Sequence, residues 1–230
     1  MSEQNSSNLK VFTIPVGTIQ QNCRIFLNED TKQAFIVDPG ANAQELANFI
    51  QELGCQIEAI IVTHGHFDHI GGISELRRLL PKQVPVIGPF VQDEPFFSQV
   101  QRRCAEFGLP DQVEDFVPQP ELGDRFFAEN EVLNLIGLEF QVLFTPGHSP
   151  GHGVLVNHAN RFVIAGDVLF RDGVGRTDLP GGSFEALKDA IQQKLYTLDT
   201  TNGDYLVYTG HGATTTINYE REHNPFVSAN

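Results

Sequence analysis

His64, His66, Asp68 and His69 form a His-x-His-x-Asp-His run, in which four groups that can bind a metal ion lie within six residues. Imidazole nitrogens and carboxylate oxygens are common ligands of zinc and other transition metals in proteins. Neighbouring side chains on a turning backbone point in different directions, so the four groups cannot all reach one ion. We therefore expect two sets, His64 with His66 and Asp68 with His69, and two adjacent ions.

The run lies between a predicted strand and a predicted helix. Residues 57–62 are apolar and rich in β-branched side chains, which is typical of a buried strand. Gly71 and Gly72 precede apolar residues at helical spacing. In α/β proteins, ligands collect on the loops at the carboxyl ends of strands. The sequence therefore predicts that the run occupies a strand-to-helix loop.

Three later segments repeat the pattern of an apolar strand followed by a possible ligand. They are residues 140–144 before His148, 161–165 before Asp167, and 205–208 before His211. Taken alone, a buried His or Asp at a strand end is explained as readily by hydrogen bonding as by metal binding. Beside the His-rich run, however, several buried and similarly charged groups would need a cation. We therefore predict that all three are metal ligands.

On these motifs the chain resembles the metallo-β-lactamase superfamily, and within it the small single-domain hydrolases that are similar to glyoxalase II. The resemblance extends from Pro15 to about Val227. It rests on residues 63–69, 145–152, 166–170, 175–178 and 210–212. It implies an α/β (α+β) protein built as a four-layer αββα sandwich, with the metal site at one edge between the two sheets.

The resemblance also implies a role for each ligand. The first ion would be held by His64, His66 and His148, the second by Asp68, His69 and His211, and Asp167 would bridge them. Water between two such ions ionises near neutral pH, so the implied reaction is hydrolysis by a metal-bridging hydroxide that Asp68 helps to orient. Zinc is the expected metal, with iron or manganese as alternatives.

The expected substrate is a small thioester such as S-lactoylglutathione, because a thiolate leaves without a strong general acid. Arg171 and Arg176 flank the loop after Asp167 and could bind an anionic part of the substrate. Arg176 could equally form a salt bridge with Asp178. Full-length glyoxalase II enzymes continue into a helical segment that helps to bind glutathione, whereas this chain ends at residue 230, so glutathione specificity stays open.

A persulfide dioxygenase of the same superfamily is the alternative function. Such an oxidoreductase also contains a Gly-Arg-Thr-Asp segment and binds one iron through the equivalents of His64, His148 and Asp167. It does not require the second set of ligands, and the presence of that set in this chain favours the hydrolase. A binding module without catalysis ranks lower, because it would leave seven ligands unused.

Composition predicts one domain. The chain has 230 residues, of which 40% are hydrophobic, so we expect a single domain over residues 10–230 after a polar, flexible tail at residues 1–9. No segment is long enough to span a membrane.

The three cysteines are odd in number and scattered, which favours a cytoplasmic location. A net charge of −14 disfavours nucleic-acid partners. The sequence leaves the oligomeric state open.

In the other segments the sequence predicts several strands and helices but leaves the structure of residues 89–120 open. We expect strands at residues 11–16, 23–27 and 33–37, a helix over 44–53, and a helix over 184–198 capped by Ser183. His152 is expected to brace the His148 loop, whereas His158 and His223 are expected at the surface. Residues 89–120 are rich in Phe and Pro, and they predict either a packed subdomain, which we favour, or a lid over the substrate.

Overall fold

The first half of the chain builds a five-stranded mixed sheet and the helices that cover its outer face. The computed structural model describes residues 8–229. The elements in this half are β1 (Leu9–Val16), β2 (Gln21–Asn28), β3 (Gln33–Val37), α1 (Ala43–Leu53), β4 (Gln56–Ile61), α2 (Phe67–Ile70), α3 (Ile73–Leu79) and β5 (Val86–Ile87). The sheet order is β1-β2-β3-β4-β5, antiparallel through β3 and parallel from β3 to β5. The strands predicted here and the helix over 44–53 are confirmed.

The second half builds a six-stranded sheet. Before it, a 3₁₀ helix at Val91–Gln99 leads into α4 (Val100–Glu106), and a short 3₁₀ turn follows at Pro120–Leu122. The remaining elements are β6 (Val132–Leu135), β7 (Leu138–Phe144), β8 (Gly153–Asn157), β9 (Phe162–Gly166), β10 (Leu169–Phe170), β11 (Gly173–Val174), α5 (Phe184–Ala190), β12 (Leu206–Thr209), β13 (Thr215–Thr216) and α6 (Ile217–His223). The order of strands in the six-stranded sheet is β13-β12-β9-β8-β7-β6, and β10 and β11 form a separate two-stranded hairpin.

Alternating side chains along the strands divide the interior into three apolar layers. Phe26 and Phe35 on the first sheet stack at 4.7 Å and face Phe140 and Phe162 of the second sheet. Residues one position away on the first sheet pack instead against α1 and α3, and those on the second sheet pack against α5 and α6. Because strand side chains alternate between faces, each sheet is buried on both sides. The predicted four-layer αββα sandwich is confirmed.

Two helices differ from the sequence prediction. Ser183 caps α5 as expected, its hydroxyl accepting the N–H of Ala186, but the α-helix ends at Ala190 and continues only as a π-helical segment at Ile191–Leu195. Asp68 and His69 do not lie on a loop, because residues 67–70 already form the helical turn α2.

The ends of the chain add two observations. Most of the tail predicted for residues 1–9 lies outside the described residues, and β1 already begins at Leu9. Across residues 8–229, none of the helices has the length and apolar character needed to cross a bilayer.

Candidate metal centre

Four strand ends meet at one edge of the sandwich. β4 precedes the run that starts at His64, β7 precedes His148, β9 precedes Asp167 and β12 precedes His211. The two sheets are joined at this edge, since the N–H of Asn22 on β2 donates to the carbonyl of Gly210 at 2.7 Å. The fold thus brings together all seven residues that the sequence predicted as ligands, from four separate segments of the chain.

The first cluster consists of His64, His66 and His148. His66 Nδ1 lies 2.9 Å from His148 Nε2 and 3.1 Å from His64 Nε2, and the last two nitrogens are 3.2 Å apart. A tetrahedral zinc ion bound by nitrogens at about 2.0–2.1 Å would hold those nitrogens roughly 3.3 Å apart. The three atoms therefore form the face of a metal site.

The second cluster consists of Asp68, His69 and His211, with Asp167 between it and the first. Asp68 Oδ2 lies 3.1 Å from His211 Nε2 and 3.5 Å from His69 Nε2. The two oxygens of Asp167 face different clusters: Oδ1 lies 3.4 Å from His69 Nε2, and Oδ2 lies 3.4 Å from His148 Nε2. A carboxylate in this position can contact an ion in each cluster.

Hydrogen bonds on the far side of the rings set which nitrogen faces each cluster. His148 Nδ1 donates to the carbonyl of Arg176 at 2.7 Å, and His69 Nδ1 donates to Asp38 Oδ2 at 2.9 Å. In the neutral rings the Nε2 atoms of both residues are then free of hydrogen and available as ligands.

Two buried polar atoms at the centre lack a hydrogen-bond partner among the described residues. These atoms are His69 Nε2 and Asp167 Oδ1, the pair that faces the space between the clusters. Leaving a buried polar atom unsatisfied costs about 1–3 kcal/mol. Binding to a cation would satisfy both atoms, and the His/Asp clusters therefore fit a binuclear metal site.

The charges of the centre lead to the same conclusion. Burial lowers the pKa of His64 well below its ordinary value and that of His66 to about 3, so both rings are neutral. Burial opposes ionisation of Asp167, but the neighbouring His69 outweighs it and holds the pKa of the carboxyl below its usual range. Burial likewise would lower the pKa of His69, yet the surrounding carboxylates raise it. The carboxylates thus require a nearby positive charge, which a metal ion would supply.

Asp38 supports the second cluster and was missed in the sequence. Its buried carboxylate accepts the N–H of Thr63 at 2.8 Å and the Thr63 hydroxyl at 2.7 Å, as well as the ring N–H of His69. Asp38 directly follows β3, so the pattern of a strand followed by an Asp, which had identified Asp167, could also have identified it.

Asp93 fastens the loops of the first cluster to each other. This carboxylate is fully buried and accepts the N–H of Gly65 and the hydroxyl of Ser149, each at 2.7 Å. Gly65 neighbours two ligands of the run and Ser149 neighbours His148, so one side chain fixes both segments. No sequence signal pointed to it, since it lies in the 3₁₀ helix of the segment that was hardest to predict.

His152 is buried and braces the His148 loop as predicted, since its backbone carbonyl accepts the N–H of Thr145 at 2.9 Å. Its Nε2 accepts the backbone N–H of Asp167 at 3.0 Å, and its Nδ1 lies 3.3 Å from the Thr145 hydroxyl. The ring therefore also positions Asp167 through the backbone N–H of that residue. His158 and His223 are exposed, as predicted.

Gly210 leaves the space that the Asp167 carboxylate occupies. A Cβ atom at this position would lie 1.9 Å from Asp167 Oδ1 and 3.0 Å from His69 Cε1. Only a residue without a side chain allows β12 to approach the centre this closely.

A cavity of about 510 Å³ opens beside the two clusters. Its wall is largely apolar and comes from the β1–β2 turn, α2, α4 with the residues around it, and the β10–β11 hairpin with the loop after it. The apolar side chains are Ile19, Phe67, Phe96, Val100, Phe107, Leu109, Phe170, Val174, Leu179 and Pro180. The cavity therefore suits a small organic substrate with an apolar part.

Residues 89–120 provide both a packed core and a cavity wall. Phe97 is buried and meets the ring of Phe116 at 5.1 Å, as the packed-subdomain prediction requires. Phe96, its neighbour, is half-buried, lines the cavity and lies 5.5 Å from the ring of His66. The two adjacent aromatic residues thus have different environments.

The arginines after Asp167 also differ from each other. Arg176 lines the cavity and at the same time binds Asp178 through Nε and Nη2, both at 2.7 Å, so both predicted contacts are compatible. Arg171 is not among the residues that line this cavity, and its guanidinium lies over the ring of Tyr219 at 5.0 Å. Arg103 on α4 lines the cavity and was missed.

Comparison with known proteins identifies the family. The model of the metallo-beta-lactamase superfamily matches residues 17–211. The chain belongs to this superfamily. Hydroxyacylglutathione hydrolase GloC from Haemophilus influenzae is 38% identical over 222 residues, which cover 96% of this chain and 99% of that protein.

Two solved structures are also similar to this chain. The BLEG-1 B3 metallo-beta-lactamase superposes with a TM-score of 0.83 and 31% identity, over 96% of this chain and all of that chain. TTHA1623 in a di-iron-bound form superposes with a TM-score of 0.79 and 33% identity, over 94% of this chain and all of that chain. With its two His/Asp clusters, the chain is a metallo-hydrolase of the metallo-beta-lactamase superfamily.

Proposed function

We propose that this metallo-beta-lactamase-fold protein hydrolyses thioesters such as S-lactoylglutathione at a binuclear metal centre. The observation that carries the proposal is the second cluster, in which Asp68, His69 and His211 converge within 4.8 Å of one another. A reaction at a single iron would not need these residues. The similarity to a protein named hydroxyacylglutathione hydrolase supports the choice of substrate.

The ligands divide as the clusters do. His64, His66 and His148 would hold one ion, Asp68, His69 and His211 would hold the other, and Asp167 lies where it could contact both. Two bound divalent ions would supply hydroxide at neutral pH and stabilise negative charge on the substrate carbonyl. Asp68 has a second task, because its carboxylate faces the cavity and can accept a hydrogen bond from the attacking group. His152 and Asp38 keep the ligands in place through the hydrogen bonds described above.

The cavity favours a substrate with a good leaving group. Among the described residues that line it, the only carboxylates are Asp68 and Asp167, and both belong to the clusters. The wall therefore offers no separate acid to protonate an alkoxide or an amine. A thiolate is stable enough to leave as an anion at neutral pH, because thiols have a pKa near 8.5.

Surface charge and cavity size complete the proposal. The net charge of −14 opposes binding of nucleic acid, and a cavity of about 510 Å³ suits a small molecule. We assign the protein to the cytoplasm, where its three free cysteines would stay reduced. Zinc is the proposed metal; iron is the main alternative, since TTHA1623 was crystallised in a di-iron form.

The test combines metal analysis with two activity assays on protein purified without added metal. Metal per chain is measured together with turnover of S-lactoylglutathione and with oxygen uptake on glutathione persulfide. Asp167→Ala is compared with Asp189→Ala, which removes an exposed carboxylate on α5. We expect about two ions per chain and thioester hydrolysis that is lost only in Asp167→Ala.

One iron per chain with persulfide-dependent oxygen uptake would overturn the proposal. That result would assign the protein to the persulfide dioxygenases, whose triad is also assembled here: His148 Nε2 lies 3.2 Å from His64 Nε2 and 3.4 Å from Asp167 Oδ2. The number of ions therefore separates the two functions.

A further inference from the structure

One face of α4 forms a wall of the cavity. Val100, Arg103 and Phe107 follow the helical spacing i, i+3 and i+7, and all three line the cavity. Cys104, on another face of the helix, is buried in the core. Val100 is also fully buried in that core, so the side chains that this wall presents beside the metal centre are Arg103 and Phe107, the residue that directly follows the helix.

Arg103 is the less occupied of the two arginines in the cavity. Arg176 uses both Nε and Nη2 to bind Asp178. Arg103 donates only from Nη1, to Glu106 Oε2 at 2.9 Å, and its Nε and Nη2 have no hydrogen-bond acceptor in the part of the chain that the structure describes. Ion pairs three residues apart on an exposed helix are weak, so this guanidinium can bind another carboxylate.

We propose that Arg103 is the residue that selects the substrate, by binding a carboxylate of a thioester whose apolar part lies along the wall formed by Phe96 and Phe107. This inference rests on the proposed thioester hydrolysis. A protein with a net charge of −14 repels small anions, and a guanidinium in the cavity wall counters that repulsion locally. Arginine suits the task because its planar group can bind both oxygens of a carboxylate.

Two pairs of synthetic thioesters test the proposal. The first pair is S-butanoyl-3-mercaptopropionate and its primary amide, with the charge on the thiol part. The second is the S-ethyl monothioester of succinic acid and its primary amide, with the charge on the acyl part. Arg103→Gln is compared with wild type and with Arg102→Gln, a neighbour that also contacts Glu106 but does not line the cavity.

We expect Arg103→Gln to raise KM at least about tenfold for one of the two acids, the size expected for loss of a charged hydrogen bond, with kcat unchanged. Both amides and all reactions of Arg102→Gln should keep their wild-type values. The acid that responds identifies which part of the substrate carries the carboxylate. A KM within twofold of wild type for both acids, or equal losses for an acid and its amide, would overturn the proposal.

A binding assay separates this proposal from the proposed function. The probes are thioethers, in which a CH₂ group replaces the thioester carbonyl, so they cannot be hydrolysed. They are S-butyl-3-mercaptopropionate, its primary amide, and the thioether acid that corresponds to the S-ethyl monothioester of succinic acid. Their binding is measured by calorimetry. Wild type that hydrolyses no thioester would refute the proposed function. If one thioether acid nevertheless binds at least about tenfold more weakly to Arg103→Gln than to wild type, Arg103 still binds a carboxylate as proposed. Binding of both acids that is the same in wild type and Arg103→Gln refutes the role of Arg103.

Discussion

Asp38 offers a way to weaken one metal site while sparing the other. In Asp38→Asn, the amide oxygen can still accept the N–H of Thr63, but an NH₂ group replaces the oxygen that accepts from His69 Nδ1. The His69 ring must then lose that hydrogen bond or move its hydrogen to Nε2, the nitrogen that faces the second cluster. Either change makes His69 a poorer ligand.

The size of the effect follows from these contacts. Losing a partner that orients a metal-bound histidine lowers metal affinity by about 10–100-fold, or roughly 1.4–2.7 kcal/mol. The first site should change less, because the described contacts link Asp38 to His64 indirectly, through the Thr63 hydroxyl that lies 3.1 Å from His64 Nδ1. We therefore expect one weakened site and one site near its wild-type affinity.

The assay is a calorimetric titration of metal-free protein with zinc in the presence of a competing chelator. Asp30→Asn, which changes an exposed carboxylate after β2, is the control and should bind like wild type. Equal losses of metal affinity at both sites of Asp38→Asn, or wild-type affinity at both sites, would show that Asp38 does not specifically support the second site.

Three further predictions address the cation, the space around it and the cavity wall. Removing metal with a chelator should lower the free energy of unfolding by about 4 kcal/mol per site, if the free metal concentration was previously 1,000 times the Kd of that site. The loss is measured as a lower Tm, which should return when zinc is added. Gly210→Ala should reduce metal per chain, measured by elemental analysis, because its Cβ meets Asp167 Oδ1; full metal content would contradict the assigned geometry. Phe97→Ala should lose about 3–5 kcal/mol of stability in urea melts, whereas Phe96→Ala should stay stable and change the preference among acyl chains; equal stability losses would refute the division between core and wall.

Ligand positions could be predicted because strands, unlike loops, have a strong local pattern. Apolar stretches ending in His or Asp located His148, Asp167 and His211, and the carboxyl ends of strands in two packed sheets meet at one edge. The same rule would have found Asp38 had it been applied after β3. Resemblance to the family supplied the pairing of these residues, which spacing alone left open.

The rest of the site depends on tertiary contacts that have no local signal. Asp93 lies in a 3₁₀ helix with a proline inside it, and its three hydrogen-bond donors are at least 28 residues away in sequence. Phe96 and Phe97 are indistinguishable as sequence, but neighbouring side chains of a 3₁₀ helix point about 120° apart, so one reaches the cavity wall and the other the core. Arg103 had no sequence signal either, because only the fold shows that α4 lies beside the metal centre.

The central claim is that two ions lie side by side in this centre, with Asp167 between them. Anomalous diffraction from crystals of zinc-loaded protein tests it most directly. We expect two peaks about 3.5–4 Å apart, one at the three-histidine cluster and one at the cluster of Asp68, His69 and His211. A single peak at His64, His66 and His148, with the second cluster empty at saturating zinc, would contradict it.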